Sequence, residues 1–90
     1  MASFLDTNVA VYAFDRTAGR KRERALEILS DSSVRLVVSP QVLNEFYVTV
    51  TRKLAQPLAP VVASDAVREL ARLDVVPLDA GTTLEAIALS

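Results

Sequence analysis

A chain of 90 residues in which 51% of the side chains are hydrophobic makes one small domain with a real core, not a disordered segment. It has no Cys and no His, which removes disulfides, thiolate nucleophiles, the usual zinc ligands and every Ser–His or Cys–His arrangement. The net charge is −1, so there is no overall pull toward nucleic acid, and any catalysis rests on carboxylates, Lys, Arg, hydroxyls or a metal held by oxygen.

Residues 3 to 6 are predicted as a first strand, in which apolar Phe4 and Leu5 deliver Asp6 at the carboxyl end. Residues 8 to 14 restart an apolar segment and are predicted as a short helix, followed by a turn from Asp15 to Gly19. Arg16, Arg20, Lys21, Arg22 and Arg24 then crowd together with only Glu23 opposing them. Such a cluster suits a phosphate backbone, and more often it is the solvated start of a helix. A helix is predicted over 20–30, with Ala25, Leu26 and Leu29 on one side and Ile28 flanking it. Val34 to Val38 is a short β-branched run suited to a buried parallel strand.

Ser39-Pro40 is a helix start, with Ser at the cap and Pro at the first helical position. The helix is predicted to run to about Leu54, with Val42, Leu43, Phe46, Tyr47, Val50 and Leu54 on one stripe and Glu45 well off it. Pro57 and Pro60 break the pattern, and a second amphipathic helix is predicted over 61–73. Residues 74 to 79 form the third predicted strand, at an edge or a strand end because Pro77 has no N–H for a ladder. A last helix is predicted over 84–90. Strands separated by helices imply a parallel sheet with right-handed crossovers. No run approaches the ~20 apolar residues of a membrane span. Met1-Ala2-Ser3 leads straight into the first strand with no basic run, so no signal peptide is expected and the cytoplasm is the expected compartment.

Ligands of open α/β sheets bind outside the carboxyl ends of the strands. Asp6 and Ser39 end the first two strands, so both fall on that edge. Glu45, one and a half turns into the helix that Ser39 caps, is close enough to lean back toward it. Two oxygen-donor acids without His or Cys suit Mg²⁺ or Mn²⁺, which activate water and neutralise charge at a phosphoryl group. The residues alone equally allow Asp6 to be a helix cap or an Asx turn, and Glu45 to be a solvated residue near Arg52.

Phe4-Leu5-Asp6-Thr7-Asn8-Val9, with Val11-Tyr12-Ala13-Phe14-Asp15 after it, resembles the opening of PIN (PilT N-terminus) domains. Val37-Val38-Ser39-Pro40-Gln41-Val42-Leu43-Asn44-Glu45-Phe46-Tyr47, with Thr51-Arg52-Lys53-Leu54, resembles the family's second block. The candidate acids of the two blocks stand 39 positions apart. Leu70-Ala71-Arg72-Leu73 and Val75 to Asp79 fit the third strand. The likeness is greatest to VapC-type toxins of bacterial toxin–antitoxin pairs. It implies an α/β, three-layer α/β/α PIN-like fold with a parallel sheet, of which residues 1–90 supply the N-terminal part, truncated after the third strand. It also implies a ribonuclease that uses Mg²⁺ or Mn²⁺. Asp6 matches the first acid and Glu45 the second. Asn8 and Ser39, with Thr7 as a weaker candidate, match polar positions that orient an acid or a metal-bound water. Arg20, Lys21, Arg22 and Arg24 are the candidate RNA contacts, and the implied partners are a cognate antitoxin and a second copy of the toxin.

The family's third and fourth acids lie on a later helix and strand, and neither Asp79 nor Glu85 stands at those positions. On that account a chain of these residues alone is expected to be inactive or nearly so. Its first strand is expected to be an unpaired apolar edge, open to self-association or domain swapping. A different class of function is a non-catalytic α/β module for partner binding or self-association. An Asp-nucleophile phosphotransferase is remote, because Asn8 stands where such enzymes carry a second Asp.

Overall fold

The structure is a computed structural model and describes residues 2–77 and 85–87. In chain order it contains β1 (Ala2–Leu5), α1 (Thr7–Phe14), α2 (Arg20–Ser30), β2 (Arg35–Val38), α3 (Pro40–Arg52), α4 (Pro60–Leu70), β3 (Asp74–Val75) and β4 (Glu85–Ile87). The strands form one sheet in the order β3-β2-β1-β4, and every pairing is parallel. The mixed α/β architecture with a parallel sheet is the one the sequence predicts.

The sheet is short, and its faces alternate. Phe4 pairs with Val37 across β1 and β2, and both are buried. Leu5, on the opposite face, joins the main core. There it meets Val9, Ala10 and Ala13 of α1, Ala25 of α2, Phe46 and Val50 of α3, and Ala63, Ala66 and Leu70 of α4. Five of these residues are alanine, which lets the helices approach closely where they cross. At the periphery Arg35 Nε reaches Asp74 Oδ2 at 2.7 Å across β2 and β3. Both side chains are more than half exposed, so the pair stabilises by about 0–1 kcal/mol at most.

The structure departs from expectation in three places. Leu26, predicted on the inner side of α2, is 42% exposed, while Ala25 is buried and Ile28 and Leu29 are half-buried. At 100° per residue the inner face centres between 25 and 28, and Leu26 turns off it. The helix predicted over 84–90 is not formed at 85–87, which are strand β4; residues 84 and 88–90 lie outside the described residues, as do 78–83. A short apolar run has no periodicity to separate helix from strand, and pairing with β1 decides it. Ser3, Phe4 and Leu5 face Glu85, Ala86 and Ile87 in register. Hence β1 is not the exposed edge expected of it. It lies between β2 and β4, and that reason for self-association falls away.

Turns are built by local side-chain acceptors. After α2 the Asp31 carboxylate accepts from the Ser33 hydroxyl at 2.6 Å and from the Ser33 N–H at 2.9 Å. The hydroxyl and then the backbone N–H hold its pKa below the ordinary 3.8, against a small opposing effect of burial. A carboxyl whose pKa is depressed by folding contributes stability above its unfolded value and loses it as pH falls through its folded value. Carboxyl NMR titration is therefore expected to place Asp31 below 3.8, and Ser33→Ala to raise it toward that value. An Asp31 midpoint unmoved by Ser33→Ala would rule out the Ser33 hydroxyl as the main cause.

Candidate active site at the carboxyl edge of the sheet

The chain leaves β1 and β2 at the same edge and turns straight into a helix each time. Asp6, extended at φ −74° and ψ 142°, is the N-cap of α1, and its Oδ1 accepts the Asn8 N–H at 2.8 Å. Ser39, extended at φ −90° and ψ 153°, is the N-cap of α3, and its Oγ accepts the Val42 N–H at 3.1 Å. Each cap satisfies a backbone donor that the first turn leaves without an intrahelical partner. The β1–β2 register runs Ala2 to Arg35, Ser3 to Leu36 and Phe4 to Val37, and its continuation sets Asp6 beside Ser39. Two helix N-termini thus point their partial positive charge at one edge.

Glu45 lies on the second turn of α3, and the Thr7 hydroxyl donates to its Oε2 at 3.0 Å. Thr7 is the first residue of α1 and follows Asp6 directly. This one hydrogen bond joins the two sequence blocks and brings Glu45 to the residue that follows Asp6. Phe46, the next residue on α3, is fully buried and sets the helix rotation that sends Glu45 outward. Asp6 and Thr7 are half-buried, and Asn8 and Glu45 are exposed. Ser39 reaches the same edge but is fully buried, with its oxygen given to the α3 cap. Asn8 contributes its backbone N–H to Asp6, and its side chain faces outward.

The basic cluster stands apart. Arg20, Lys21, Arg22 and Arg24 are exposed on the first half of α2. Lys21 Nζ sits 5.1 Å from the centroid of the Tyr12 ring, a cation–π contact that ties α2 to α1. Tyr12 is five residues beyond Thr7, roughly 7–8 Å along the helix axis, so the cluster flanks the acids and is not among them. Two residues the sequence reasoning undervalued thus have defined places. Thr7 is the direct partner of Glu45, and Tyr12 is the ring beneath Lys21. No sequence pattern marks either contact, because each depends on how two helices cross.

Among the described residues no three or more Asp, Glu, His or Cys side chains gather into one metal-holding group. The donor set at the edge is two carboxylates and hydroxyls. That fits a hard, oxygen-seeking cation such as Mg²⁺, which is commonly held by one or two carboxylates together with waters and substrate phosphates.

The parallel α/β sheet, with Asp6 at its carboxyl edge and Glu45 hydrogen-bonded to the residue that follows it, is an architecture that a family comparison can place. The chain belongs to the PIN domain family, whose family model matches residues 3–90. PIN domains are typically metal-dependent nucleases, and they generally use a divalent metal. Comparison with curated proteins gives no match. Among the described residues no helix is long and apolar enough to cross a membrane.

Proposed function

We propose that this PIN domain belongs to a metal-dependent ribonuclease that hydrolyses RNA phosphodiesters, and that Asp6 and Glu45 are two of its metal-holding acids. The observation that supports this is the Thr7–Glu45 hydrogen bond, which ties Glu45 across 38 positions of sequence to the residue that follows Asp6. Asp6 and Glu45 would hold Mg²⁺ or Mn²⁺. When bound, such an ion lowers the pKa of a water and neutralises charge at a phosphoryl oxygen.

The chain's own residues do the positioning. Asp6 is fixed from below by the buried strand and by the Asn8 N–H on Oδ1, which leaves its other oxygen to hold the ion. Thr7 holds one oxygen of Glu45 and leaves the second available. Ser39 fixes the start of α3, and with it the height of Glu45 above the sheet edge. Arg20, Lys21, Arg22 and Arg24 attract the RNA backbone from the α2 flank, a term that weakens as salt rises. The two motif blocks further support a VapC-type toxin that is held by a cognate antitoxin and pairs as a homodimer.

The test is cleavage of single-stranded RNA by the protein in its full encoded length, with Mg²⁺ and with EDTA. Cleavage that requires the metal is the expected result. A protein that binds a partner and never cuts RNA, with or without metal, would instead be the non-catalytic module. The observation that favours this second reading is the absence of a third acid beside Asp6 and Glu45 among the described residues.

A further inference from the structure

The face of α3 that leads away from Glu45 carries a cavity that none of the residues discussed so far explains. It lies between α3 and α4, and seven residues line it within about 520 Å³. Its lining mixes apolar Leu43 and Val67 and the ring-bearing Tyr47 with polar Asn44, Ser64 and Arg68. Tyr47 is half-buried and packs against the main core, so its ring is held on one side while the residue borders the cleft. Arg68 pairs with Asp65 at 3.2 Å, but its side chain is 79% exposed, and such a surface pair holds it only weakly. Its guanidinium is therefore available to an incoming anion.

The cleft shares two lining residues with a depression that Glu45 borders. A second depression, of about 350 Å³, is lined by Glu45 itself together with Asn44, Val48, Thr49 and Lys53. Asn44 and Val48 line both cavities, so they form the ridge between them. A strand whose phosphate sits at Glu45 needs to cross only that ridge to place its neighbouring nucleotide in the cleft.

We infer that the α3–α4 cleft is a nucleobase pocket for a nucleotide flanking the scissile phosphate of single-stranded RNA, with Tyr47 as its stacking ring. This rests on the ribonuclease reading above. The chemistry suits a base: an aromatic ring offers a face for stacking, an amide and a hydroxyl answer a base edge, and an Arg answers the phosphate. The size also suits a single small group. Seven lining residues are far fewer than the ~20–30 per side of a stable protein interface.

The experiment is fluorescence polarisation of a labelled single-stranded RNA 10-mer in EDTA, beside the same ribose-phosphate 10-mer without bases. Tyr47→Ala is expected to weaken binding of the base-bearing RNA by about 5- to 150-fold, the range of one base–aromatic stack, and to leave the abasic strand unaffected. Tyr47→Phe keeps the ring and is expected to bind within about twofold of the original. Tyr47 also contacts the core, so Asn44→Ala and Arg68→Ala, at exposed positions, provide the independent check; each is expected to weaken binding several-fold. Normal RNA affinity in both of these variants would overturn the pocket. So would sedimentation velocity showing that they abolish self-association, since the cleft would then be a contact between copies. If cleavage persists while the cleft variants bind normally, only the pocket is wrong. If the unaltered protein binds no RNA in EDTA yet cuts it with Mg²⁺, only the pocket is wrong; if it also cuts none with Mg²⁺, the ribonuclease reading fails and takes the pocket with it.

Discussion

Asp6→Asn and Glu45→Gln are each expected to lower RNA cleavage by about 100-fold or more while leaving the fold intact. Both substitutions remove a charge and keep the geometry. Asn is as good an N-cap as Asp, and its amide oxygen still accepts the Asn8 N–H that Asp6 Oδ1 accepts at 2.8 Å. In Glu45→Gln the new amide oxygen likewise still accepts from the Thr7 hydroxyl, which donates to Glu45 at 3.0 Å. Losing the Asp6 charge beside the α1 N-terminus costs only about 0.3–1 kcal/mol of stability. A metal-holding carboxylate cannot be replaced so cheaply, because an amide oxygen is a much weaker ligand for a hard cation. Loss of one positioned electrostatic group commonly costs 10²–10³ in rate. Cleavage rates and urea midpoints measured on the same preparations separate the roles. Cleavage at the original rate in Glu45→Gln would remove that residue from the site. A collapse of the urea midpoint in Asp6→Asn would show that the charge serves folding instead. Thr7→Val, which deletes only the hydrogen bond to Glu45, is expected to have an intermediate effect.

These positions also show what can be read from a sequence and what cannot. Ser39-Pro40 announces a helix start through local chemistry alone, and the structure has the cap hydrogen bond and Pro at the first turn. The β-branched run before it becomes β2, since extended apolar residues flanked by turn formers have few other uses. By periodicity Glu45 is only a residue off the apolar stripe, and it is the second motif block that singles it out in the sequence. What the sequence does not show is its partner Thr7, 38 positions away, because no spacing rule reveals a contact set by the crossing of two helices. The same limit explains β4. Glu85-Ala86-Ile87 has no turn signal or alternation of its own, and its state is decided by the open side of β1. By periodicity Tyr47 is one more residue of the α3 core stripe. Its second surface, toward the α3–α4 cleft, exists only because α4 packs beside it. Local capping and patterning are therefore legible, and contacts between elements are not.

The largest expected loss of stability comes from the residue next to Glu45. Phe46→Ala is expected to destabilise the fold by about 3–5 kcal/mol, as large-to-small changes of buried aromatics do. Phe46 has no exposed surface and sits in the core cluster with residues of β1 and all four helices. Its ring meets the edge of Phe14 at 5.4 Å between centroids and 73° between planes, an arrangement that adds about 0.5–1.5 kcal/mol to burial alone. A domain of this size has roughly 5–14 kcal/mol to lose, so the variant stands near the limit of folding. Phe46→Leu keeps most of the volume and forfeits the aromatic pair, so its cost should be clearly smaller. The consequence for the site follows from helix geometry. Neighbouring residues on α3 are 100° apart, so burying Phe46 is what turns Glu45 toward Thr7. Phe46→Leu is thus expected to reduce cleavage more than its modest loss of stability would, because a slight rotation of α3 displaces the carboxylate. Urea unfolding of both variants decides the first point. A cost below about 1 kcal/mol for Phe46→Ala would show that the core closes around the missing ring, and that α3 is held in rotation by Val50 and the Ser39 cap instead.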